Sequence, residues 1–199
     1  KLFITVLLIR LGLSFLPAMQ IDMGCWKAWA MRLVEVGPQN FYSTQVFTDN
    51  PPGYLYVFWV VGWVKEWLGG LGAVNFEWLL KLPGNLFDLG TGLLIYKIIS
   101  HKRGGLSWLG LDLAKLGFLL YTLNPAVWFN SSVFGQFDGA GAFFGLLSVY
   151  LLLEPISQIR QIRLICVGVA LAIAWAVKPQ AIALAPAVGI LWHSNVVSS

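Results

Sequence analysis

The chain has only 22 charged side chains in 199 residues, nine acidic and thirteen basic, so an acid beside apolar sequence is a candidate for chemistry. Asp22 follows the apolar stretch LFITVLLIRLGLSFLPAMQI, and Asp49 precedes Asn50-Pro51-Pro52-Gly53. Alone, Asp22 reads as a stop or helix-cap residue, and an Asp before Pro often just sets up a turn. Together they put two carboxylates on one polar loop. That arrangement suits activation of an acceptor hydroxyl, or the holding of a divalent cation.

Further polar residues interrupt apolar runs. Lys81 and Asp88 are seven residues apart, which on a helix is one face and two turns. A polar pair serving the fold and a functional pair are equally compatible with that spacing. Gln136 and Asp138 open the segment FGQFDGAGAFFG, whose glycines at 135, 139, 141 and 145 have the spacing of close helix packing. Asp138 there either caps a helix N-terminus or faces a cavity. Lys178 stands before Pro179 and Gln180. Proline at the first turn of a new helix explains the break but not the lysine, which either snorkels or meets a phosphate. His101 and His193 read as interfacial residues. Cys25 and Cys166 form neither a CxxC nor a metal spacing, and they fall on opposite predicted faces, so no disulfide joins them.

The elements that must position these residues are read from hydropathy. Hydrophobic residues make up 58% of the chain, charged residues 11%, and tryptophan occurs ten times; the mean hydropathy is +0.74. Disorder, collagen, coiled coil and a small disulfide scaffold are excluded, and the expected fold class is an all-α polytopic membrane protein. The net charge of +4 is scattered at the ends of apolar runs, which reads as a positive-inside bias and not as a nucleic-acid face. Spans are expected at 2–19, 78–100, 106–128, 137–153, 163–177 and 180–193. Residues 20–77 form an external loop with interfacial helices at 24–36 and 53–68. The basic links at 101–105 and 158–163 then face the cytoplasm. The chain is expected to be a single transmembrane module over 1–199 and, since it opens inside an apolar run, an incomplete chain. Its compact loops favour a bacterial plasma membrane over an ER membrane.

The order of these motifs resembles the GT-C superfamily of polyprenyl-phosphate-sugar-dependent glycosyltransferases, closest to the dolichyl-phosphate-glucose glucosyltransferases of N-glycan assembly and their bacterial relatives. The likeness rests on Asp22 in QIDMGCWKAWAMRL, Asp49 in TDNPPGYLY, Lys81 through Asp88 in KLPGNLFDLGTGLLIYK, NPAVWFNSSVFGQFDGAGAFF, and Lys178-Pro179-Gln180. Asn50 replaces the family's usual Tyr, and Phe134 stands where bacterial relatives often have Trp. The resemblance implies a GT-C-like N-terminal module and inverting transfer of glucose or mannose from a polyprenyl-phosphate donor to an acceptor hydroxyl. Asp22 would be the general base, with Asp49 and Arg32 supporting the acceptor or the loop. Lys178, Gln180, Gln136 and Asp138 would form the donor-phosphate and sugar pocket. The resemblance requires no protein nucleophile or nucleotide-binding domain and fixes no cofactor, and the acids allow a divalent cation. The competing class is a non-catalytic subunit, transporter or scaffold that keeps the fold for helix packing.

Overall fold

The computed structural model describes residues 1–69, 75–103, 107–108, 111–153 and 160–197. The fold is all-α. In chain order the helices are α1 (Leu2–Leu13), α2 (Gln20–Val36), α3 (Pro52–Gly69), α4 (Phe76–Arg103), α5 (Leu113–Thr122), α6 (Pro125–Trp128), α7 (Asp138–Leu153), α8 (Arg160–Val177) and α9 (Ala185–Val197). Two-residue strands β1 (Ser107–Trp108) and β2 (Leu111–Asp112) pair antiparallel ahead of α5. A π-helical turn, Phe129–Phe134, follows α6, and a 3₁₀ segment, Pro179–Leu184, joins α8 to α9.

Local chemistry explains the breaks. Asp112 caps α5, its carboxylate accepting from the Ala114 and Lys115 amides at 2.9 and 3.3 Å. Asn124 caps α6, accepting from the Ala126 amide at 2.9 Å, and Pro125 supplies the preset φ of a first helical position. Within the apolar stretch expected as one span over 106–128, residues 113–128 therefore form two helices with a capped break.

The expectation of a multi-pass membrane protein is corrected: among the described residues, no helix is long and apolar enough to cross a membrane. Helices α1, α5, α7 and α9 have 12, 10, 16 and 13 residues, against the roughly 20 that a span needs. The longest, α4, has 28 residues but carries Glu77, Lys81, Asp88, Lys97, Lys102 and Arg103. The inside–outside assignment of loops lapses with the spans. In the basic links, residues 104–105 and 158–159 lie outside the described residues.

The main core lies where α2 and α3 pack together and onto α4 and α7. Met23, Trp26, Trp29, Ala30 and Leu33 form the buried stripe of α2, at the three- and four-residue spacing of one helix face. Tyr54, Leu55, Phe58 and Val61 do the same for α3. Phe137, just ahead of α7, closes this core: its ring stacks on Tyr54 with centroids 4.2 Å apart, and meets Phe58 and Trp26 edge-on at 5.6 and 5.9 Å. Two smaller apolar clusters pack α1 against α4 and α5, and α7 against α8 and α9.

Candidate functional site

Asp22 lies in the first turn of α2, but it does not cap that helix; Met19 holds the cap position, without a side-chain hydrogen bond. The Asp22 carboxylate instead accepts a hydrogen bond from Gln136 Nε2 at 2.7 Å, across 114 residues of sequence. Two features fix Gln136. Gly135 adopts φ +80°, a left-handed conformation that a side chain would strain, and an added Cβ there would press on Met23 of α2 and the stem of Lys81 of α4. The turn closes with the Gln136 amide donating to the Asn130 carbonyl at 2.9 Å. Phe137, sunk in the aromatic core, anchors the other side. Trp26 lies one turn along α2 from Asp22 and contacts Phe137, so the same core that packs α2 brings the two polar groups together.

They border a cavity of about 340 Å³ whose wall also includes Asp49, Asn50 and Lys178. Asp49 reaches it from the loop 37–51. Arg32 stands outside the cavity: its guanidinium donates to the Phe41 carbonyl at 3.1 Å and to the Asn40 carbonyl and Ser43 hydroxyl at 3.5 and 3.4 Å, tying that loop to α2.

Lys178 is the hinge to a second cavity of about 470 Å³, lined by Asp138, Gly141, Gln180 and Leu184 among others. Its Nζ pairs with Asp138 Oδ1 at 2.7 Å and sits 4.8 Å above the centre of the Phe137 ring. Asp138 Oδ2 accepts from Asn130 Nδ2 at 3.2 Å. The lysine backbone is extended, at φ −142° and ψ 112°, where α8 gives way to Pro179. Six residues from four parts of the sequence (22, 49, 136 and 138, 178 and 180) thus line two cavities with Lys178 in the wall of both.

No protein-family model, curated protein or solved structure matches the chain. The functional reading therefore rests on the geometry of these side chains. Among the described residues no three His, Cys, Asp or Glu side chains cluster where they could hold a metal ion. Asp22, Cys25 and Asp49 all line the smaller cavity, but they do not converge into such a group. Cys25 and Cys166 are both free.

Lys81 and Asp88 are both buried in α4, but they do not pair with each other. Seven residues of helix separate them by about 10 Å along the axis, and each takes a different partner. Asp88 forms an ion pair with Arg10. Lys81 faces Glu77 at 3.4 Å and donates to the carbonyls of Ser14 and Leu16. Sequence reasoning missed Arg10 as the centre of this network. It is fully buried and donates to Asn85 Oδ1 at 2.9 Å, to the Thr122 carbonyl at 3.0 Å, and to Asp88 and the Ser131 hydroxyl. An arginine inside an otherwise apolar helix, which demands a buried counter-charge, is the signal that would have found it. Burial pushes the Asp88 carboxyl up, and Arg10 and the Ser131 and Tyr121 hydroxyls pull it only part of the way back. Glu77 was likewise missed. Burial raises its carboxyl, but the Ala18 amide, Lys27 and Lys81 outweigh that and hold it below its ordinary value.

Proposed function

We propose that the Asp22 cavity carries out inverting hexosyl transfer from a polyprenyl-phosphate-linked sugar to an acceptor hydroxyl, with Asp22 as the general base and a GT-C-like arrangement of the polypeptide around it. The observation that carries the reading is the hydrogen bond of 2.7 Å from Gln136 to Asp22 at the wall of a cavity that Lys178 also lines. A carboxylate held in one orientation, with a cation across the same space, suits a reaction that moves a proton at one end and releases a phosphate at the other.

In this reaction Asp22 takes the proton of the acceptor hydroxyl as its oxygen attacks the anomeric carbon. The bond from that carbon to the phosphate oxygen breaks on the opposite face, and the lipid phosphate leaves with both electrons. Inversion follows from the single displacement. Lys178 neutralises the charge that grows on the leaving phosphate. Gln136 holds the base, and Asp49 and Arg32 order the loop beside the acceptor. No protein nucleophile enters any step.

The test is hexose transfer by the purified chain, supplied with polyprenyl-phosphate-glucose and polyprenyl-phosphate-mannose in detergent micelles, comparing the wild type with Asp22→Asn. Transfer from either donor that disappears in the variant supports the reading. Transfer that persists in the variant removes Asp22 as base. A wild type that transfers neither hexose favours the non-catalytic scaffold.

A further inference from the structure

The cavity beside Gln180 is more than an extension of the Asp22 chamber, because the cation they share is already occupied. Lys178 Nζ is held by Asp138 Oδ1 at 2.7 Å, and Asp138 is held in turn by Asn130 at 3.2 Å. The stem of the lysine has little freedom. Its amide donates to the Ala174 carbonyl and its carbonyl accepts from the Ala181 amide, both at 2.9 Å. A Cβ added to Gly141 of α7 would lie 3.3 Å from the Lys178 Cβ, so α7 packs directly against the stem. The backbone and stem are fixed, and the exchangeable parts are the ammonium group and the carboxylate opposite it.

That carboxylate is open to solvent. The Asp138 side chain is 51% exposed and that of Lys178 27%, and water and salt screen an ion pair so placed, leaving it weak. Lys178 is the one cation among the described residues that line either cavity. A phosphate group brings more negative charge than a carboxylate and three oxygens where Asp138 offers two, so it competes well for the same ammonium. Gln180 is exposed and lines the same cavity, and its side-chain amide can donate to a further phosphate oxygen.

We propose that the cavity between α7 and the segment 179–184 is a binding site for the phosphate group of an anionic ligand, with Lys178 as its cation and Asp138 as a resident counter-anion that the ligand displaces. Asp138 then lowers affinity in the free protein. The inference rests on the transfer reading for the role of Lys178, and it divides the site into an acceptor chamber at Asp22 and a phosphate chamber at Gln180.

The sign of one substitution tests it. Binding of farnesyl monophosphate and of inorganic phosphate is measured by calorimetry on the full chain in detergent, for the wild type, Asp138→Asn and Lys178→Gln, with circular dichroism checking each fold. Asp138→Asn preserves the shape and the bond to Asn130 while removing the competing charge. It is expected to tighten farnesyl phosphate at least threefold, and Lys178→Gln to weaken it at least tenfold. Tightening of both ligands identifies the phosphate itself as what is recognised; tightening of farnesyl phosphate alone identifies a lipid-linked phosphate. Unchanged or weaker binding in Asp138→Asn overturns the proposal, because the carboxylate would then be orienting the lysine and not competing for it. Absence of binding in all three proteins overturns it as well. Tightened binding in a protein that transfers no hexose leaves the phosphate site standing and removes only the transfer reading.

Discussion

Replacing Arg10 with methionine removes one half of an ion pair at the centre of the fold and keeps the length of the side chain. Asp88 is left as a buried carboxylate without its counter-charge, and removing one partner of such a pair costs about 3–5 kcal/mol. The other partners set the size of the remainder. Asn85 Oδ1 keeps the Ser132 hydroxyl at 2.6 Å, and the Ser131 hydroxyl keeps the Val127 carbonyl at 3.1 Å. Only the Thr122 carbonyl loses this bond outright, which adds about 1 kcal/mol. The sum is a large part of the roughly 5–15 kcal/mol that holds a domain together. Arg10→Met combined with Asp88→Leu leaves no charge at the centre, and it is expected to recover at least about 2 kcal/mol of the loss.

The pair also has a pH signature. Burial raises the Asp88 carboxyl above its ordinary 3.8, so in that window the native state binds more protons than the unfolded state, and stability falls as pH rises. Losing Arg10 widens the window, so Arg10→Met is expected to regain stability on mild acidification while the double variant does not. Urea unfolding followed by tryptophan fluorescence at neutral and mildly acid pH reads both effects. A cost below about 1 kcal/mol for Arg10→Met, or a double variant equal to the sum of its singles, would refute the reasoning.

Two further expectations concern stability. Glu77 has a depressed carboxyl, so its contribution is present above the ordinary value of 4.5 and is lost as pH falls through the depressed one; thermal midpoints against pH should show a flatter acid arm in Glu77→Gln, and identical arms would contradict this. A methyl group at Gly139 would strike the Asp88 carboxylate, whereas Gly168 has open space around it. Gly139→Ala should therefore cost about 1–3 kcal/mol by overpacking, and Gly168→Ala should be neutral or stabilising. Urea midpoints separate the two, and equal midpoints would contradict the packing described.

Helix at 24–36 is legible from its aromatic and aliphatic face and at 53–68 from its apolar, Trp- and Tyr-rich run, and the helices run Gln20–Val36 and Pro52–Gly69; the interfacial setting expected for both is no part of that agreement. The break at Lys178-Pro179 was legible from the chemistry of proline. What hydropathy could not separate was burial against lipid from burial against protein: Leu33, Phe58 and Phe118 count the same in a window whichever surrounds them, and here each is buried against other side chains. The same counting merged α5 and α6 across the Asn124 cap. Within the candidate site, residue types singled out Asp22, Gln136 and Lys178 separately. Their convergence depends on the turn at Gly135 and the ring of Phe137 sunk between α2 and α3, which no local pattern records. Arg10 was passed over because one arginine barely lowers the hydropathy of its run, although burial makes it the most heavily bonded side chain of α1.

The claim that matters most is that the Asp22 carboxylate removes a proton during transfer. It is tested by measuring hexose turnover and donor binding on the same preparations of wild type and Asp22→Asn. The account predicts turnover lower by a factor of about 10²–10⁴, the usual contribution of a general base, with donor affinity changed less than threefold. Turnover in the variant within tenfold of the wild type would contradict it.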